Sequence, residues 1–79
     1  MRRDIVRTLV DIQTKENLVE AKDALLRGRV LPFAVEGNDE CEKLTNLLAA
    51  LHVLDMVQQG VDFDAALQQY VAHMRGKNL

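Results

Sequence analysis

The sequence predicts an all-α fold. It reads as a small helical domain with a long N-terminal helix (straight or kinked), an extended Pro-containing connector and a C-terminal antiparallel helical hairpin, expected as a dimer. Three observations carry this. Apolar residues recur at spacings of three and four through most of the chain. Capping signals bracket the helical stretches, with Asp39 before one, Gly60 after it and Asp62 before the next. The core has to be aliphatic, because 48% of the residues are hydrophobic and only 4% aromatic.

The 79 residues are taken as a single domain, 1–79, with helices at about 2–27, 39–59 and 62–75 and a connector at 28–38. The helix over 39–59 has the clearest ends. Asp39 is a good N-cap, and Glu42 three residues on completes a capping box. Gly60 stops it. Leu44, Leu47, Leu48, Leu51 and Leu54 fall within about 120° of one another at 100° per residue. Ala49, Val53, Met56 and Val57 make a second apolar stripe roughly opposite. A helix apolar on both sides is covered on both sides. The link Gln59-Gly60-Val61 is so short that the next helix must fold back antiparallel. Phe63, Ala66, Leu67, Tyr70 and Met74 recur along it at helical spacing, and Phe63 and Tyr70 should pack toward the leucine face or the Val53–Val57 face.

Residues 1–28 are helical in pattern but in conflict with themselves. Ile5, Val6, Leu9, Val10 and Ile12 share a face, whereas Leu18, Val19, Leu25 and Leu26 point about 200° away on a straight helix. A break N-capped by Asn17 with Glu20 behind it would resolve the conflict, as would one continuous helix with different neighbours at its two ends. The continuous helix is the expectation, supported in both halves by the Asp11–Lys15 and Asp23–Arg27 pairs. Pro32 and Gly37 make 29–38 an extended segment laid over the core and anchored by Leu31 and Phe33. Arg75 and Lys77 suit the C-terminal end of the last helix, and the last few residues are expected to fray.

Chemistry is sparse. There is no serine and no tryptophan, and Cys41, Thr8, Thr14, Thr45 and Tyr70 exhaust the nucleophiles. Cys41, in the first turn of its helix, reads as a small buried or half-buried thiol. A single cysteine forms no internal disulfide, which fits a reducing cytoplasmic compartment. Cys41 and His52 lie about 16 Å apart along one helix. His73 can approach His52 across the hairpin, but no third ligand stands at metal spacing. No metal, cofactor or catalytic residue is expected. His52 and Asp55 are three residues apart and within reach of each other. No leader-like or membrane-spanning apolar run is apparent.

Charge is uneven. Residues 1–30 carry seven bases and five acids (+2), and the rest carry three bases and seven acids (−4), for a net −2. Arg2, Arg3 and Arg7 cluster where positive charge opposes the helix dipole, which suits an acidic partner or phosphate. The order from Val30 onward resembles a ribbon-helix-helix repressor only superficially, since Pro32 interrupts the would-be strand and no basic residues alternate along it. Val35-Glu36-Gly37-Asn38 is similarly close to the inhibitory motif of Fic-type adenylylation systems, yet Pro32 stands where that motif needs a hydroxyl.

The expectation is a non-catalytic accessory or regulatory protein that binds protein, as a homodimer, through Ile5, Leu9, Ile12, Val53, Met56 and Val57. Small regulators of bacteria, phages and plasmids share this cast, an association and no more. The alternative is a modulator of nucleic-acid transactions that holds phosphate with Arg2, Arg3 and Arg7.

Overall fold

The computed structural model describes residues 1–77; Asn78 and Leu79, where fraying is expected, lie outside them. Four helices follow one another: α1 (Arg3–Ile12), α2 (Lys15–Leu26), α3 (Glu40–Gln58) and α4 (Phe63–Lys77). No strand occurs among the described residues. α3 is the hub, with α1, α2 and α4 each packed against it.

The N-terminal region is two helices where one was expected. Gln13 and Thr14 are both extended, with ψ of 152° and 162°. Gln13 still donates its N–H to the Leu9 carbonyl, 2.9 Å away, and so closes α1. Thr14, three residues before the expected Asn17, is the N-cap of α2. Its hydroxyl accepts from the Asn17 N–H at 3.1 Å, and the Asn17 amide reaches back to Gln13 Oε1 at 3.4 Å. Asn17 thus takes the third position of the new helix, its backbone N–H satisfied by the Thr14 cap and its side chain donating to Gln13. The two extended residues change the helix direction, so Ile5, Val6, Leu9 and Val10 from α1 and Leu18 and Ala21 from α2 enter one core. That brings most of the first stripe and Leu18 of the second into one core, while Ile12, Val19 and Leu26 stay exposed.

The two later boundaries follow their signals. Asp39 caps α3 by accepting from the Glu42 N–H at 2.8 Å, while Glu42 Oε1 takes the Asn38 N–H at 3.4 Å. α2 and α3 both end in Schellman turns. Arg29 N–H reaches the Ala24 carbonyl (2.8 Å) and Val61 N–H reaches the Met56 carbonyl (3.0 Å). Gly28 and Gly60 sit at the pivots with φ of 69° and 97°, a backbone region that glycine enters without steric cost.

The connector is pinned at a different residue from those expected. Val35 is its buried anchor; Leu31 and Phe33 pack against the core but stay partly exposed, and Val30 is 94% exposed. Beside Val35 sits Asn46 of α3, the single buried polar side chain among the described residues. Its Oδ1 accepts from the Arg2 backbone N–H (3.0 Å) and its Nδ2 donates to the Glu36 carbonyl (3.2 Å). A buried amide with both ends satisfied costs little and specifies position. Here it ties the start of α1, the end of the connector and α3 together. The radius of gyration of 12.1 Å is close to the roughly 12 Å of a compact chain this long, so no helix projects as a free arm.

Candidate functional site

The N-terminal arginines already have partners. Arg2 meets Asp4 at 3.0 Å, Arg7 meets Asp11 at 3.2 Å, and Arg3 pairs with Asp64 at the start of α4. Arg3 and Arg7 also lie over the Phe63 ring, 5.3 and 4.7 Å from its centroid. Exposed ion pairs contribute only about 0–1 kcal/mol. A cation over an aromatic face adds about 0.5–1 kcal/mol at an exposed site. The charge that opposes the α1 dipole is thus compensated within the chain, and the arginines clamp α1 to the entry of α4.

The six expected interface residues divide. Ile5, Leu9 and Val53 belong to the protomer's own core, with Val53 wholly buried. Met56 and Val57 are half-buried and packed against that core. Ile12, at 69% exposed, is the one left largely on the surface.

The exposed apolar side of α3 is the leucine side. Leu47 and Leu54 are buried, Leu44 and Leu51 half-buried, and Leu48 is 39% exposed. Leu48, Leu51 and His52 line a shallow groove of about 250 Å³ whose rim carries Lys15 and Lys22 of α2 and Asp55 of α3. Val19 and Leu26, both exposed, lie within about 60° of Lys15 and Lys22 around α2. Leu48 and Leu51 with charges of both signs line the α2–α3 groove, while Val19 borders a separate groove with Val30 and Pro32 of the connector. Lys15 Nζ stands 3.4 Å from Asp55 Oδ1, and Gln59 donates to the other carboxylate oxygen at 3.2 Å. Asp55 is thus held by Lys15 and Gln59, although His52 was the partner that sequence spacing suggested.

His52 turns instead toward α4. Its ring lies 5.2 Å from that of Tyr70 and 6.4 Å from that of His73, centroid to centroid. Tyr70 is buried, and loss of hydration raises its phenol above the ordinary value of 10.0. A groove of about 230 Å³ between α3 and α4 is lined by His52, Met56, Gln69, Tyr70 and His73.

The hydroxyl candidates serve the backbone. Thr8 donates to the Asp4 carbonyl (3.0 Å), Thr45 donates to that of Cys41 (2.8 Å), and Thr14 caps α2. Cys41 is exposed rather than half-buried. Among the described residues no three side chains from His, Cys, Asp and Glu converge on a common point, and no helix is long and apolar enough to cross a membrane.

Sequence reasoning missed two features of this surface. Asn46 gave no signal, because a lone asparagine in an amphipathic stretch is ordinarily solvated. The exposure of Leu48 was hidden by the leucine stripe itself, which reads as core. Comparison with curated proteins finds no match, and neither does comparison with solved structures. A family model does match, over residues 1–77, and the chain belongs to the family described as Family of unknown function (DUF6952).

Proposed function

We propose that this chain is a small accessory or regulatory protein that acts by binding protein, assembles as a homodimer and catalyses no reaction itself. One observation carries the reading: the half-exposed stripe of Leu44, Leu48 and Leu51 on the hub helix, beside which α2 also exposes Val19 and Leu26. Aliphatic side chains clustered in water are a cost unless something covers them. Lys15 and Asp55, paired with each other across the groove, and Lys22 put both signs of charge on its rim, which suits a self-complementary two-fold contact. The contact residues are then Leu48, Val19 and Leu26, with Ile12 at the edge, in place of Ile5, Leu9 and Val53. The lone thiol favours the cytoplasm as its place of work.

The nucleic-acid alternative has less support. Each of Arg2, Arg3 and Arg7 already meets a carboxylate, and the net charge is −2. A phosphate would have to displace those partners.

Sedimentation velocity over a range of concentrations tests the dimer. The wild type should run at twice the chain mass, and Leu48→Glu should run as a monomer with an unchanged helical circular dichroism spectrum. A wild-type protein that stays monomeric throughout would sink the homodimer. A dimer untouched by Leu48→Glu would show that another surface carries it.

A further inference from the structure

The antiparallel pairing of α3 and α4 sets two i,i+4 pairs opposite one another. His52 and Met56 come from α3, and Gln69 and His73 come from α4. His52 stands across from His73, with imidazole centroids 6.4 Å apart and rings inclined at 65°. Tyr70 forms part of the same groove, and its buried ring supports His52 from 5.2 Å. Helical proteins commonly build metal sites in this way, from side chains one turn apart on facing helices.

The spacing suits a shared ion. With metal–nitrogen bonds of about 2.0–2.1 Å, two imidazoles on one ion hold their centroids roughly 5–5.6 Å apart at tetrahedral or trigonal angles and about 6.4 Å apart when their nitrogens stand opposite. The 6.4 Å between His52 and His73 matches a nearly linear pair, a geometry that copper(I) accepts. The groove contains no carboxylate; beside the Gln69 amide and the Tyr70 phenol it offers two imidazoles and one thioether sulfur. Hard divalent ions prefer oxygen ligands, whereas a thioether selects for soft monovalent copper, which imidazole also accepts. Sequence spacing places no third ligand beside the two histidines, but Met56, one turn on from His52, lines the same groove.

We propose that the α3–α4 groove binds one copper(I) ion through His52, His73 and the Met56 sulfur, with Gln69 at the rim. This site is separate from the leucine stripe and does not depend on it. Because both histidines are exposed, their loss should leave the fold intact.

The test is an anaerobic copper(I) titration in competition with a chromophoric copper(I) chelator. It is run on the wild type and on Cys41→Ala, since the exposed thiol at position 41 would bind copper(I) by itself. In Cys41→Ala, one ion per chain should bind with a Kd below about 1 µM. On that background His73→Ala should weaken binding by more than about tenfold. Met56→Leu should weaken copper(I) by a similar factor while leaving copper(II) and zinc(II) within about twofold of their starting affinity. Circular dichroism confirms that each variant is folded. Copper(I) held no tighter than 1 µM overturns the site. So does affinity that survives removal of both histidines, and a copper(I) affinity indifferent to Met56→Leu overturns the ligand assignment.

Discussion

α3 has two unlike sides. One carries Asn46, Ala49, Ala50 and Val53, all wholly buried, and the other carries Leu44, Leu48 and Leu51, which are half-buried or exposed. By transfer free energy the leucines have more to gain from leaving water. Leu47 and Leu54 of the same helix are buried, yet the centre of the inner side is made of smaller residues, and side-chain size explains it. Three helices converge on α3, and Ala21 of α2 and Ala66 of α4 are also wholly buried. Small residues let backbones approach closely, toward the short end of the usual 8–10 Å between helix axes. Asn46 adds a fixed point by holding Arg2 and Glu36. The inner side is chosen by how many neighbours can reach it, and Leu44, Leu48 and Leu51 are left half-buried or exposed.

Adjacent residues give the strongest test of this contrast. Leu47 is wholly buried and Leu48 is 39% exposed, though both are leucines of one helix. Leu47→Ala should cost about 2–5 kcal/mol in urea unfolding, through lost burial and the cavity left behind. Leu48→Ala should stay within about 0.5 kcal/mol for the isolated protomer, as surface substitutions do. Equal costs would abolish the distinction between the two sides. Asn46→Ala is the next largest effect. It strands the Arg2 N–H and the Glu36 carbonyl, at a cost of about 1–3 kcal/mol, and hydrogen exchange at Arg2 should accelerate with it. Were Asn46→Ala neutral, the clamp would be no part of what fixes the inner side.

The helix ends that could be read from sequence are those marked by several independent signals. Asp39 with Glu42 and Gly60 with Val61 bracket α3 where expected. The break before α2 has only Thr14 and Asn17 to announce it, and Asn17 is itself a passable N-cap, so the pattern points to the wrong residue. The conflict between the α1 and α2 stripes was legible, but its resolution was not. A two-residue bend and a second protomer satisfy the same periodicity. Likewise α3 reads as covered on two sides, yet periodicity alone does not say whether the cover is its own chain or another. Val53 and the leucines therefore exchanged places between expectation and structure. The approach of His73 to His52 followed from the short Gln59-Gly60-Val61 link, because antiparallel helices bring those positions together.

The boundary between the two sides offers the smallest and most local test. Tyr70 lies there, buried itself and packed against the exposed His52 ring. Its phenol is raised above 10.0 by desolvation, so the folded protein holds the proton more tightly than the unfolded chain does. The stabilisation from keeping it neutral is fully present below pH 10.0, where the phenol is protonated in both states. Above that the unfolded chain ionises first, and stability falls as pH rises toward and through the folded-state value. Urea midpoints measured from pH 8 to pH 11 should therefore decline at the alkaline end in the wild type (pH range chosen about the ordinary phenol value). Tyr70→Phe should remove the alkaline decline while leaving the midpoint near neutral pH within about 1 kcal/mol. A decline that persists in Tyr70→Phe would place the phenol in water, and the inner side of the bundle would then end short of α4's Tyr70.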